Sequence, residues 1–318
     1  MDHCRYCLLS WNGSAEGAPW ERSVRLAERW LGELREQRPE IRASFAFGYS
    51  MEHPDLRNAI RTLRRLSSPM AEFLQCDGMK MRDEAECGEL MVLLREEGIR
   101  QLNFTLYGLP EYHDRFAGRK GDHALILRMM QAAGHAGIPF DAGIPLTAEN
   151  AGQIDKLTSC LYGAGCEKIH LFIPHEEGRG KILAAIRCRK QDLEKLSPAS
   201  RALLNGRIFR TEAEWLKAAE PLHEERRMIL ISLRANNMER YEEMDALSAL
   251  QETEALDDAY YAAFPAFAEL AEMYGDPEGD RLYRFRDLFA YYRKCFAAER
   301  GIRVYDVTDE RFSGSRRY

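Results

Sequence analysis

Short runs of near-continuously apolar or β-prone residues alternate with longer stretches of helical period from about Trp20 to about Gly180. Ala43–Phe47, Met70–Gln75, Gln101–Leu106, Pro139–Ile144 and Lys168–Ile173 read as strands, and their near-continuous apolarity predicts cover on both faces. Between them, Val24, Leu31 and Leu34 mark one helical stripe; Cys87, Leu90 and Leu94 a second; Leu125, Met129 and Ala132 a third; Ile154, Leu157 and Leu161 a fourth. Gly98, Gly137, Gly163 and Gly165 punctuate the ends. Strands recur at about 30 residues, the size of a βα repeat, which predicts a parallel sheet. The fold class is therefore α/β, a partial (β/α)6 TIM-like barrel lacking its first strand over residues 1–190, with a mostly helical extension, 191–318, packed on it. In the extension, helical patches surround Leu193 and Trp215, Met228–Leu233 reads as a strand, and the acidic stretch Glu239–Asp258 reads as a solvated helix face. The aromatic-rich stretch from Tyr260 to Phe296 is expected to pack on the barrel.

Composition narrows the function classes. The chain has 318 residues, 45% hydrophobic and 30% charged, enough to bury a substantial core. A net charge of -6 argues against a polyanionic partner, so no nucleic acid is expected. No run approaches the roughly 20 apolar residues of a membrane span, and the start, MDHCRYCLLSWNGS, lacks the basic and apolar regions of a secretion signal. The expectation is a cytoplasmic protein with no membrane association. Eight cysteines, at 4, 7, 76, 87, 160, 166, 188 and 295, are too sparse for a disulfide scaffold. Cys87 and Cys160 are expected to be core thiols beside helix stripes, Cys76 a packed residue at a strand end, and His113 and His170 turn and strand residues.

The feature richest in chemistry is Cys4-Arg5-Tyr6-Cys7. Two thiolates two residues apart can hold one metal or one cluster, and by themselves they fit a thiol-disulfide pair, half a zinc site, part of an iron–sulfur site or a chance spacing. Context comes from downstream. Phe47-Gly48-Tyr49-Ser50-Met51-Glu52-His53-Pro54-Asp55-Leu56 follows the first candidate strand; Asn103–Gly108 with Tyr112-His113-Asp114-Arg115 and Gly121 follows the third; Gly137–Phe140 with Thr147 and Glu149-Asn150, then Leu171–Pro174 with Glu177–Gly180, mark the next two.

In order and spacing, these motifs resemble the radical S-adenosylmethionine (radical SAM) superfamily: the end of its CxxxCxxC cluster loop, its GGEPLLHPDL turn with HPDL kept, its ISLDG strand followed by DxxR-G, and its fifth- and sixth-strand patterns. The resemblance covers about residues 4 to 182. It implies a 4Fe-4S cluster and S-adenosylmethionine as cofactors, reductive cleavage of the latter, and hydrogen abstraction from an unknown small-molecule or peptide substrate, with a reductant protein as partner. By the same resemblance Cys4 and Cys7 are cluster ligands, Tyr6 packs near adenine, backbone carbonyls at Phe47 and Gly48 hold the methionine amino group, and Thr105 contacts S-adenosylmethionine with its hydroxyl. Two departures stand out. The first cysteine of CxxxCxxC and the first barrel strand would precede Met1, which a start placed too far downstream or a fragment explains together, and Tyr49 and Ser50 replace Glu and Pro of GGEP. The rival readings are a catalytically silent barrel of the same ancestry that binds a ligand or partner, and a zinc or thiol-redox protein using Cys4 and Cys7. Too few cysteines lie beyond residue 190 for auxiliary clusters.

Overall fold

The structure is a computed structural model that describes residues 17–46, 50–67, 72–174, 183–204, 209–218, 227–302 and 314–317. The chain divides into two compact units, one comprising Met1–Arg5, Arg42–Pro174 and Gln191–Gly206, the other Tyr6–Ile41, His175–Lys190 and Arg207–Tyr318.

The first unit is built on a four-stranded parallel sheet in sequential order, β1 (Phe73–Gln75), β2 (Gln101–Thr105), β3 (Phe140–Pro145) and β4 (Lys168–Phe172). The helices Glu84–Glu96, Asp122–Ala136 and Ile154–Gly163 alternate with these strands, so the βα repeat read from the sequence forms a partial barrel-like core. Local chemistry fixes the boundaries. Asp83 and Glu86 form a reciprocal capping box that starts one helix, and Gly137, at a φ of 68° that favours glycine, ends the next.

Register divides the sheet into two unlike faces. Leu74, Leu102, Phe104, Phe140, Ala142, Ile144, Ile169 and Leu171 are all buried, together with Leu90, Leu94, Leu125, Met129, Leu157 and Leu161 of the alternating helices. Phe104 meets Phe140 edge to face, with ring centroids 5.9 Å apart. The opposite face carries Gln75, Gln101, Asn103, Thr105, Asp141, Gly143, Lys168 and His170, most of them half-buried or exposed. This corrects the expectation of strands covered on both faces for β1, β2 and β4, which alternate as a half-buried sheet does, while β3 is buried at all its positions as expected. A second correction concerns Ala43–Phe47. Residues 43–46 form no strand and are mostly exposed; Phe47 lies outside the described residues. Cys160 is also exposed: Ile154, Leu157 and Leu161 take the buried side of its helix, and position 160 is rotated off that stripe.

In the second unit, the helix Trp20–Gln37 buries Leu26, Ala27 and Leu31, leaving Val24 and Leu34 of the expected stripe half-buried. Leu26 shares a cluster with Met238, Tyr241 and Ala249 from the helices Met238–Glu243 and Ala246–Ala262, and Trp30 Nε1 donates to the Met244 carbonyl at 3.0 Å. The C-terminal aromatics pack on one another: Trp215, Leu270, Tyr283, Leu288, Phe289, Tyr292 and Phe296 form one core, and Tyr292 donates to Glu212 Oε1 at 2.6 Å. Two antiparallel pairs complete the unit, β5 (Arg210–Thr211) with β7 (Leu282–Tyr283), and β6 (Arg227–Leu230) with β8 (Gly314–Arg317).

Candidate functional site

The carboxyl ends of parallel strands in α/β folds carry the ligand-binding loops, because the helices that return the chain occupy the sheet's flank and leave this edge free. In the first unit that edge is formed by the residues following Gln75, Thr105, Pro145 and Phe172.

Thr105, the last residue of β2, is held by Asp77 in the loop that leaves β1. Its backbone N–H donates to Asp77 Oδ1 and its hydroxyl to Oδ2, both at 3.0 Å, while Gln75 Nε2 donates to Asp77 Oδ2 at 2.6 Å and to the hydroxyl at 3.3 Å. Asp77 is half-buried, and loss of solvent pushes its carboxyl above the usual range against the opposing pull of the hydrogen bonds from Gln75 and Thr105. The Thr105 hydroxyl keeps one lone-pair direction for a further donor. Beside it on β3, Gly143 leaves bare backbone: a Cβ there would stand 3.4 Å from the Phe172 ring and 4.0 Å from Thr105 Oγ1. Cys76, fully buried between these elements, has its thiol pushed up by burial and by the Asp77 charge, so it is a packing residue as expected.

Two polar frames hold the loops around Thr105. Glu52, from the turn carrying His53-Pro54-Asp55-Leu56, meets the buried Arg82 in a bidentate pair, Nη1 to Oε1 at 2.7 Å and Nη2 to Oε2 at 3.0 Å, and also accepts from Lys80 N at 2.9 Å. Asp55 Oδ1 accepts from Asn58 N at 3.2 Å in the first turn of the helix Leu56–Ser67, and its own N–H donates to His53 Nδ1. These contacts bind the HPDL turn to the loop after β1.

The second frame lies after β2. His113 is fully buried; its Nδ1 accepts from Tyr107 N at 3.1 Å, so Nε2 is the protonated nitrogen and donates to Asp122 Oδ2 at 2.9 Å. Arg119 pairs with the same carboxylate and with the Met79 carbonyl. Burial alone would raise Asp122, but the bonds from His113 and Arg119 outweigh it and hold the carboxyl below its usual range. Asp114 accepts from Gly121 N and His123 N, shaping the DxxR-G turn. Asn150 donates to the carbonyls of Tyr107 and Pro145, both at 2.8 Å, and so ties the ends of β2 and β3 together. Tyr112, with its hydroxyl 3.1 Å from Thr147 Oγ1, is pushed up to about 12 by burial and stays protonated.

Of the residues expected from sequence, Thr105 is the last residue of β2. Cys4, Tyr6, Cys7, Phe47 and Gly48 lie outside the described residues. Among the described residues no group of His, Cys, Asp or Glu is arranged to hold a metal, and no helix is long and apolar enough to cross a membrane. The sequence reading missed Asp77, Gln75 and Arg82. An Asp-Gly pair directly after a strand was the available signal, since Gly78 turns the chain there at a φ of 66°.

The family described as the radical SAM superfamily matches residues 1–160. No curated protein matches the chain. Among solved structures, Streptococcus suis SuiB bound to precursor peptide SuiA is similar at 13% identity over 55% of this chain and 37% of that chain, with a TM-score of 0.39. SuiB bound to S-adenosylmethionine is similar at 12% identity over 53% of this chain and 36% of that chain, with a TM-score of 0.38. The chain thus spans little more than a third of the length of these solved relatives.

Proposed function

The chain belongs to the radical SAM superfamily, and on that premise we propose that it is an enzyme that cleaves S-adenosylmethionine reductively with a 4Fe-4S cluster and abstracts hydrogen from a small-molecule or peptide substrate. The observation that carries the reading is the family match over residues 1–160, the span that contains Cys4, Cys7 and Thr105. When bound, the cluster and S-adenosylmethionine supply a one-electron bond cleavage that leads to removal of a hydrogen atom from substrate. Cys4 and Cys7 hold the cluster, Tyr6 lies against adenine, and the carbonyls of Phe47 and Gly48 take the methionine amino group. The described residues fit the cofactor in one respect: a threonine hydroxyl with a spare acceptor direction stands beside a glycine whose missing side chain leaves room for a ligand. Asp77 orients that hydroxyl, and the Glu52–Arg82 and His113–Asp122 frames hold the loops that exclude water. Residues 1–190 carry the reaction, 191–318 form the extension, and a reductant protein supplies the electron.

Reconstitution with iron and sulfide without oxygen tests the reading. The expected result is a brown protein with about four irons and four sulfides per chain and release of 5′-deoxyadenosine on reduction. Cys4→Ala and Cys7→Ala should each remove the colour. Thr105→Val should keep the iron and weaken S-adenosylmethionine binding by about tenfold, the scale of one lost hydrogen bond to a charged group. A colourless protein that cleaves no S-adenosylmethionine would leave a silent barrel, and stoichiometric zinc would leave a zinc protein.

A further inference from the structure

On the polar face of the sheet, roughly 7 Å from the level of Thr105 and Gly143 by the rise of two strand residues, lies a carboxylate that the reaction as proposed does not use. Asp141, the second residue of β3, is 7% exposed. Its Oδ2 accepts from Gln101 Nε2 at 2.5 Å and lies 3.7 Å from His170 Nε2, beyond hydrogen-bond reach. Its Oδ1 is buried and has no hydrogen-bond partner among the described residues. Lys168, at the paired register position on β4, is exposed and makes no ion pair with it. The charge is felt nearby, since Asp141 adds to burial in pushing the Cys166 thiol up to about 11.

A buried carboxylate oxygen left without a donor loses its hydration and gains no bond in exchange, and native proteins seldom leave one so unless something binds there. The geometry points to a binding site for a primary ammonium group, in which Asp141 Oδ1 takes the charge and the Gln101 amide oxygen and the Asn103 side chain offer further acceptors on the same face. The choice of ammonium over guanidinium follows from the same contacts. A guanidinium fork needs both carboxylate oxygens in parallel, and here Gln101 already occupies Oδ2; a compact ammonium needs only one. The ligand is thus an amine, such as a lysine side chain or a chain-terminal amino group. That it belongs to the substrate of the radical reaction rests on the function proposed above; the binding itself does not.

The test uses the full chain without iron or S-adenosylmethionine, so a failure of the cofactor chemistry leaves its outcome intact. The probe is propylammonium chloride, followed by the ring resonances of labelled His170, assigned by His170→Gln among the eight histidines. The expected result is a saturable shift that 1-propanol and sodium chloride do not produce, weakened by about tenfold or more in Asp141→Asn. Gln101→Ala should free Oδ2 and move the preference toward guanidinium chloride relative to propylammonium, a change that a merely destabilised fold would not give. Equal shifts with 1-propanol or with sodium chloride, binding undiminished in Asp141→Asn, or an unchanged preference in Gln101→Ala would each overturn the assignment and leave Oδ1 solvated by water.

Discussion

Phe104 and Thr105 are adjacent in sequence and sit on opposite faces of one sheet, and almost everything that differs between the faces can be put in terms of these two residues. Phe104 is fully buried, edge-on to Phe140 within a layer of aliphatic side chains. Thr105 is half-buried and answers to Asp77 and Gln75 through hydrogen bonds. One face gains its stability from area removed from water, which is indifferent to direction. The other gains little net stability from each contact, since a hydrogen bond exchanges water for protein, but each contact fixes an angle. Stability and placement are thus assigned to different sides of the same strand.

The sharpest way to break the comparison is to truncate the packed side. Phe104→Ala should cost about 3–5 kcal/mol of unfolding free energy in a denaturant titration, as large-to-small changes of buried aromatics do. Removing Glu52 should come next. Glu52→Ala strands the buried Arg82 charge, for about 3 kcal/mol, the low end for a broken buried pair because Glu52 is itself partly exposed. A smaller effect belongs to Asp122, whose carboxyl lies below its usual range when folded. It therefore contributes stability that is complete above the unfolded carboxylate value near ~3.9 and is lost as pH falls through the lower folded value. Asp122→Asn should be less stable at neutral pH by about 2 kcal/mol, with the gap closing on acidification; a gap that stays constant to pH 2 or so would remove the ionic role assigned to Asp122. On the polar face, Thr105→Ala should cost only about 1 kcal/mol, because Asp77 keeps the bond from Gln75 and the backbone bond from residue 105. A cost as large as that of Phe104→Ala would show that the two faces are not divided as described.

Much of this was legible beforehand. The strands at 73–75, 101–105 and 168–172 fall within the runs read from the sequence and 140–145 overruns its run by one residue, since apolar residues there recur with clear helical stretches between them. The two-faced character of β1, β2 and β4 was not, although Gln101, Asn103 and Thr105 sit at alternate positions; Phe104 beside them disguised the period. Thr105, Asp114 and Asn150 were singled out by motif, and each has a geometric task at the strand ends. Asp77 and Arg82 were not, because a side chain that acts through contacts far along the chain leaves no local spacing to find: the partners of Arg82 and of Thr105 lie 30 and 28 residues away. Ala43–Phe47 shows the reverse error, a β-prone run whose described residues, 43–46, form no strand.

The amide of Asn150 has a mechanical consequence. By spanning the Tyr107 and Pro145 carbonyls it extends the β2–β3 ladder one rung beyond its last main-chain bond, without any net charge. The neighbouring side of the same rim, where Glu52 grips Arg82, is fastened by opposite charges instead. The amide carries no charge for dissolved ions to screen and the Arg82 charge is buried from them, so raising the ionic strength should leave both sides of the rim clamped.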